Sequence, residues 1–142
     1  MLNLRLLCTA VVDVAPPLAV GKTPGGIRSI GEFRSVTVKG ERMNASLAGA
    51  AAADWILING RVGDVDVRMT LRTDDDALIF VTYKGKLDLA RAGGPVVTVA
   101  PRFETGDERY AWLNDIQAIG RGTLGAGPEG GSLINYEFYE IL

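Results

Sequence analysis

The chain of 142 residues is 47% hydrophobic and 23% charged, the size and composition of one globular domain, predicted here over residues 1–142. A formal net charge of -2, with no polybasic stretch, argues against nucleic acid or a membrane surface as a partner. Because the chain has no histidine and one cysteine, Cys8, the composition excludes an intrachain disulfide, histidine-dependent catalysis and histidine- or thiolate-ligated metal sites, and we expect a cytoplasmic protein without a cofactor.

The N-terminal half of the chain predicts strands separated by turns. Residues 4–14 alternate in hydrophobicity and predict a strand, whereas residues 16–31, rich in proline and glycine, predict a connection made of turns. Residues 32–39 form the next predicted strand, and the apolar run from Trp55 to Asn59 ends in an Asn-Gly turn signal. The side chains expected to share one face of the first strand are Leu4, Leu6, Cys8, Ala10, Val12 and Val14.

The C-terminal half carries the clearest strand signals. Residues 64–73 alternate strictly, and the run of three aspartates that follows predicts the turn of a hairpin with residues 77–84 as the returning strand. Residues 94–105 predict a further strand, and residues 107–114 predict one helical turn capped by Asp107. Two closing strands are predicted over 115–122 and 132–142.

These elements predict an all-β fold. About eight to ten short strands with frequent turn signals, and at most one short helical turn, are typical of an antiparallel sandwich or barrel. A single closed antiparallel β-barrel is favoured, because closure leaves no unpaired strand edge.

The polar face of residues 64–73 allows two interpretations. In one, Asp66, Arg68, Thr70 and Arg72 face water while the alternate apolar residues fill the barrel, as is usual for barrels in water. In the other, the polar face lines the lumen and the apolar face packs on a second copy, which would make the protein a homodimer or higher homo-oligomer.

Aromatic and ionisable residues concentrate in three segments. These are Asp54-Trp55, residues 102–105 and residues 110–114, and they include both tryptophans of the chain. Side chains with an apolar body and a polar tip suit the mouth of a ligand pocket, and they equally suit ordinary packing.

An ordered set of short motifs resembles the bacterial and fungal family called domain of unknown function 3237. The motifs span nearly the whole chain and run Thr23-Pro24-x-Gly26-x-Arg28, Ala53-Asp54-Trp55, Asp66-x-Arg68-x-Thr70-Leu71-x-Thr73-Asp74-Asp75, Ala77-Leu78-Ile79, Pro101-x-Phe103-Glu104-Thr105 and Tyr110-x-Trp112-Leu113-Asn114. The resemblance implies a closed antiparallel barrel without one established activity. Some members sit among genes for aromatic or polyketide-like compounds, which implies small-molecule chemistry.

Two consequences of the resemblance concern single positions. Asp76 stands where the family turn usually has glycine, and the segment before Asp54 is richer in alanine than expected. The charged positions Asp54, Arg68 and Glu104 recur in the family motif, which raises the expectation that Arg68 and Asp66 line the lumen.

The resulting hypothesis is a cofactor-free isomerase, lyase or cyclase that moves protons on a small aromatic, polyketide-like or carboxylate molecule. Arg68 would stabilise a developing enolate or carboxylate, Asp54 or Glu104 would act as general base or acid, and Tyr83 or Tyr110 would donate a proton. The predicted catalytic residues are Asp54, Arg68, Glu104 and Tyr110, and the predicted ligand-binding residues are Arg28, Trp55, Asp66, Thr70, Tyr83, Arg102, Trp112 and Asn114. The alternatives are a binding barrel without turnover and a solidly packed structural or interaction module.

Overall fold

A computed structural model describes residues 1–142 and contains eleven strands and one short helix. The strands are β1 (Leu4–Val14), β2 (Leu18–Thr23), β3 (Gly26–Lys39), β4 (Ala45–Leu47), β5 (Ala53–Asn59), β6 (Val62–Thr73), β7 (Leu78–Asp88), β8 (Val96–Val99), β9 (Arg102–Glu104), β10 (Ala118–Ala126) and β11 (Ser132–Ile141). The helix is a 3-10 helix over Glu108–Asp115. No helix has the length and apolar character needed to cross a bilayer.

Eight of the strands close an antiparallel barrel in the order β1-β3-β5-β6-β7-β8-β10-β11, with β11 paired back to β1. The three remaining strands extend this barrel. The short β4 lies between β3 and β6 in line with β5, and β9 pairs with β7 in line with β8. The predicted all-β barrel is therefore confirmed.

The prediction that residues 16–31 form a turn-rich connection is wrong, because most of them lie in strands. Leu18–Thr23 pairs with the first part of β3 as a hairpin, closed at Thr23 and Gly26. The adjacent Pro16 and Pro17 separate β2 from β1, since neither residue can donate a backbone hydrogen bond. Proline and glycine at the ends of this hairpin made the alternation of apolar and polar residues in its strands difficult to recognise in the sequence.

The predicted inward face of β1 is wrong at its start. Because the register shifts between Leu6 and Cys8, the Leu7 side chain points into the core, where it is 2% exposed. Leu4 and Leu6 are exposed instead. A bulge of this kind inserts one residue and reverses which side chains face inward. From Cys8 onward the predicted inward face is correct through Val12, which is 1% exposed.

The predicted hairpin of β6 and β7 is confirmed, and its apolar face fills the barrel. Val65, Val67, Met69 and Leu71 are all buried, so the charged face of β6 points away from the core. Asp76 in the connecting turn has a φ of +72°, the left-handed conformation that glycine adopts most readily. This explains why aspartate can stand at a position where glycine is usual, since aspartate tolerates that conformation.

The 3-10 helix closes one end of the barrel. Its predicted cap is confirmed, because the Asp107 carboxylate accepts the backbone N–H of Arg109 at 2.9 Å. Leu113 points from the helix into the core and is completely buried. The Tyr110 hydroxyl donates a hydrogen bond to Asp75 at 2.7 Å, which joins the helix to the β6–β7 turn.

Candidate functional site

The ladder between β5 and β6 is interrupted beside Asp54. Pairing runs through Asp54 and Val67 and resumes in the same register only at Leu57 and Asp64. In the interval, the backbone N–H of Asp66 donates to the Asp54 carboxylate at 3.0 Å. A side-chain acceptor thus replaces a ladder bond at this point in the barrel wall.

Arg28 completes this irregular stretch from the neighbouring strand. Its Nη1 donates to the backbone carbonyl oxygen of Trp55 at 2.7 Å. Where the ladder is interrupted, Asp54 accepts the backbone N–H of Asp66 and Arg28 donates to the backbone carbonyl oxygen of Trp55. Both backbone groups therefore have a hydrogen-bond partner. Asp54 and Arg28 were predicted as site residues, and both hold the wall in an irregular conformation.

The Asp54 side chain faces the interior. It lies directly opposite Val67, which is 1% exposed, and opposed residues in an antiparallel pair point to the same face. Burial raises the pKa of Asp54 from 3.8 to about 6, and the nearby Asp66 carboxylate adds to the rise. The hydrogen bond from the Asp66 N–H opposes both effects. A carboxyl group with a pKa near neutrality is suited to accept and return a proton.

Two buried tyrosines share the interior with Asp54. Tyr83 and Tyr136 are 2% and 3% exposed, and their rings meet edge to face with centroids 5.8 Å apart. Burial raises the pKa of both hydroxyls, and the Asp54 charge raises each further, which places all three groups in one electrostatic environment. Both tyrosines consequently stay protonated, so each hydroxyl carries a proton that it can donate to a hydrogen bond.

The Tyr83 hydroxyl is the exceptional group in this cluster. It is the buried side-chain polar atom without a hydrogen-bond partner, although Tyr136 lies against it. Unpaired buried hydroxyls are costly and uncommon, and they often mark sites with a function beyond packing. Tyr83 was among the predicted ligand-binding residues.

Tyr136 was not predicted as a site residue from the sequence. It lies on β11 opposite Gly122, where an added Cβ would come within 2.8 Å of the tyrosine ring. Gly120 bears the same relation to Phe138, and the two aromatic rings stack with centroids 4.9 Å apart. The sequence signal was the pair of glycines two residues apart on β10, matched by two aromatics two residues apart on β11.

The rest of the interior is tightly filled. The enclosed cavity in the core has a volume of about 10 Å³ and is lined almost entirely by apolar side chains, among them Cys8, Met69 and Phe103. Burial raises the pKa of the Cys8 thiol to about 12, so this thiol stays protonated. The interior therefore holds no ligand-sized space, because bulky side chains occupy it.

The expectation that Arg68 and Asp66 line the lumen is wrong. Both side chains are exposed on the outer surface, because Val65 and Val67 of the opposite parity fill the core. The Arg68 guanidinium lies over the Trp55 ring, 4.9 Å from its centroid. The interpretation in which this polar face meets water is the correct one.

Several predicted site residues meet on this outer surface. Two concave surfaces, of about 570 Å³ and 360 Å³, adjoin at Arg68, and a third of about 210 Å³ lies beyond Thr82. The predicted site residues that line these surfaces are Trp55, Asp66, Arg68, Thr70, Tyr83, Arg102 and Glu104. That these residues bind a ligand stays a prediction.

The last group of predicted site residues holds the 3-10 helix in place. Asn114 exchanges two hydrogen bonds with the backbone of Thr105, at 2.8 Å and 3.0 Å. Trp112 packs under the Arg42 guanidinium at 4.1 Å, and Tyr110 bonds Asp75. These contacts give each residue a packing role at the closed end of the barrel, and their predicted functional role stays a prediction.

The chain belongs to the family described as "Protein of unknown function (DUF3237)", whose model matches residues 2–141. The resemblance drawn from the sequence motifs is thereby confirmed. A UPF0311 protein from Rhodopseudomonas palustris (strain TIE-1) is 25% identical over 132 residues, covering 84% of this chain and 86% of that protein.

Solved structures share the barrel. A β-barrel-like protein from Acinetobacter baumannii matches with a TM-score of 0.84 at 23% identity, covering 100% of this chain and 97% of its own. An enzyme from Penicillium herquei matches with a TM-score of 0.70 at 23% identity, covering 99% of this chain and 95% of that chain. At these identities the likeness establishes the fold.

Proposed function

We propose that this protein is a cofactor-free enzyme that transfers a proton at a small carbonyl compound, of aromatic or polyketide-like type. The observation that supports it best is the half-buried Asp54 carboxyl, whose pKa of about 6 is set by burial. A perturbed carboxyl beside unpaired polar groups is a common feature of sites that perform acid–base chemistry.

Asp54 is the proposed catalytic residue. Its carboxylate removes a proton from the carbon next to the substrate carbonyl, and the C–H electron pair moves into the enolate. The resulting carboxylic acid then gives a proton to another carbon of the enolate, either the one it removed or one that it has exchanged with water. No oxidant or second reactant is needed, and the product is an isomer of the substrate.

Tyr83 is the proposed donor to the developing enolate oxygen. Its hydroxyl is protonated at neutral pH and has no hydrogen bond of normal geometry, although the Tyr136 hydroxyl is near enough to interact with it, so it is available to a substrate oxygen. A carboxylate base combined with a tyrosine donor in apolar surroundings is an effective arrangement for enolisation. Because the interior holds a cavity of only about 10 Å³, a substrate must displace side chains of the wall beside Asp54, such as the half-buried Ile56 and Ile58, to reach the tyrosine.

The enzyme from Penicillium herquei supports a catalytic use of this fold. The second candidate function is binding without turnover, and a different observation favours it. The enclosed cavity is only about 10 Å³, whereas the outer surface carries concavities of about 360 Å³ and 570 Å³. A protein that only sequesters or carries a ligand would need no group aligned with a reacting atom.

Hydrogen exchange in deuterated water tests the proposal even when the product is unidentified. A panel of small cyclic and aromatic ketones is incubated with the protein, and loss of the α-proton signal is followed by NMR. The wild-type protein should accelerate exchange for at least one compound, and Asp54→Asn should abolish the acceleration. Tyr83→Phe should reduce it by about 10²-fold, as expected for loss of one oxyanion donor.

Asp64→Asn is the matched control, because it removes an exposed carboxylate that pairs with Lys86 and leaves Asp54 in place. It should retain wild-type exchange. Exchange that survives in Asp54→Asn would overturn the proposal. Compounds that bind without any acceleration of exchange would establish the second candidate function instead.

A further inference from the structure

The outer face of β6, β7 and β9 carries three cations that form no ion pair. Arg68, Lys84 and Arg102 are exposed, and no carboxylate oxygen lies within 4.0 Å of their charged nitrogens. Five of the other nine arginines form ion pairs, as Arg34 does with Asp13 and Arg72 with Asp76. The three free cations are therefore available to an anion from outside the chain.

The register of the strands places these cations around one point. Arg68 on β6 and Arg102 on β9 both pair with Thr82 on β7, so they flank it on either side. Lys84 is two residues further along β7 and pairs with Asp66. Neighbouring strands are about 4.8 Å apart, so Arg68 and Arg102 start about 10 Å apart across Thr82. The Arg68 guanidinium, which lies over Trp55 of β5, must turn toward β7 for both to reach one carboxylate. With Asp66 and Glu104 included, this cluster has a net charge of +1 (three cations and two anions).

An apolar surface adjoins this cationic cluster at Arg68. The neighbouring groove of about 570 Å³ is lined by Leu18, Ile30, Trp55 and Phe80 together with four successive alanines. Leu18 is 56% exposed and Phe80 is 39% exposed. Large apolar side chains grouped beside concentrated charge are typical of a surface that binds an amphipathic molecule.

We propose that this outer groove binds an amphipathic monocarboxylate. Its carboxylate lies over Thr82 between Arg68 and Arg102, and its apolar body lies on Trp55 and Phe80. Arginine suits this role because its planar fork of donors matches a carboxylate. The barrel wall separates the groove from the inward-facing Asp54, so the proposal is independent of the one for proton transfer.

Charge makes a second copy of the chain a poorer occupant. In a twofold interface the same patch meets itself, which would bring two clusters of Arg68, Lys84 and Arg102 together. Glu104 lies two residues from Arg102 on the same face of β9, and Glu32 lies in the apolar groove, but neither forms an ion pair with the three cations. A small anion neutralises the cluster, whereas a symmetric partner adds to it.

Binding of hydrocinnamate, compared with hydrocinnamyl alcohol, tests the proposal. The two probes share one skeleton and differ in the carboxylate, and titration calorimetry on the full chain measures both. The acid should bind at least about tenfold more tightly than the alcohol, and Arg68→Gln or Arg102→Gln should each weaken the acid by about tenfold. Added salt should weaken the acid selectively.

Arg121→Gln removes an exposed arginine of β10 outside this groove and should leave binding of the acid unchanged. Asp54→Asn should leave it unchanged as well, which separates this site from the proton-transfer site. Thermal unfolding of each variant checks that its fold is intact. Absence of binding, equal binding of acid and alcohol, or equal effects of Arg121→Gln and Arg68→Gln would each overturn the proposal. Concentration-dependent dimerisation that Phe80→Ser abolishes would overturn it in favour of a second copy.

Discussion

The Asp54 carboxylate accepts the backbone N–H of Asp66 at 3.0 Å, where two consecutive pairs are missing from the ladder between β5 and β6. The same side chain thus completes the barrel wall and presents an ionisable group to the core. Bridging the barrel wall needs only an oxygen that accepts a hydrogen bond, whereas acid–base chemistry needs a group that gains and loses a proton. Isosteric substitution separates these two roles.

Asp54→Asn should change the pH dependence of stability. Asparagine keeps an oxygen that can accept the Asp66 N–H, so the wall remains bridged. In the wild-type protein the pKa of Asp54 is raised from 3.8 to about 6, so the folded state retains a proton that the unfolded state has released in this interval. The free energy of unfolding therefore falls as pH rises from 3.8 to about 6.

In Asp54→Asn the free energy of unfolding should not fall in this way, because asparagine does not titrate. Relative to the wild type, the variant should gain up to about 3 kcal/mol of stability as pH rises through the interval. Urea denaturation at a series of pH values measures the difference, and Asp64→Asn provides the exposed-carboxylate control. A constant difference between wild type and Asp54→Asn at all pH values would show that burial does not destabilise the Asp54 charge.

Tyr83→Phe should stabilise the protein while lowering its activity. The substitution removes a buried hydroxyl that has no hydrogen-bond partner and leaves the ring packing against Tyr136 intact. We expect the free energy of unfolding to rise by about 1 kcal/mol, as for relief of an unsatisfied polar group. Equilibrium unfolding in urea measures it, and Tyr136→Phe is the comparison. A loss of stability in Tyr83→Phe would mean that the hydroxyl is satisfied in solution.

Gly122→Ala should displace the Tyr136 ring. A Cβ at this position would come within 2.8 Å of two ring carbons of a buried side chain that has little room to move. The expected cost is about 1 to 3 kcal/mol, typical of overpacking in a core. Gly125→Ala is the control on the same strand, since nothing lies within 4 Å of its added Cβ. Equal unfolding midpoints for the two variants would contradict the packing described here.

Leu113→Ala tests whether the 3-10 helix seals the barrel. Leu113 is completely buried, and its truncation should lower the free energy of unfolding by about 2 to 5 kcal/mol. Because this end of the core does not contain Asp54, ketone exchange measured well below the unfolding temperature should persist. Loss of exchange in a variant that is still folded would show that the helix contributes to the site.

The barrel was predictable because its signals are local. Strict alternation in β6 and an aspartate-rich turn specify the hairpin, and the capped turn after Asp107 specifies the 3-10 helix. The bulge after Leu6 was not predictable, because a one-residue insertion leaves no mark in residue type yet reverses the inward face. The hairpin made by residues 18–30 was hidden by proline and glycine at its ends.

The candidate site was predictable only in part. Asp54 and Tyr83 were chosen for residue type and motif, and both lie in the interior. Arg68 was expected there too, but a motif shows that a residue recurs and does not show which face of a strand carries it. Tyr136 escaped because its environment depends on Gly122 of a neighbouring strand, a pairing that only the three-dimensional register makes visible.

The most direct test of the central claim is an NMR titration of the Asp54 side-chain carboxyl carbon, assigned by its disappearance in Asp54→Asn. The account predicts a single titration with a midpoint at about pH 6, because burial penalises the charged form. A midpoint near the ordinary value of 3.8 would mean that burial does not penalise the Asp54 charge, so the carboxylate would be a weaker base than the account requires. Its role would then be limited to bridging the barrel wall, and the proposed proton transfer would be wrong.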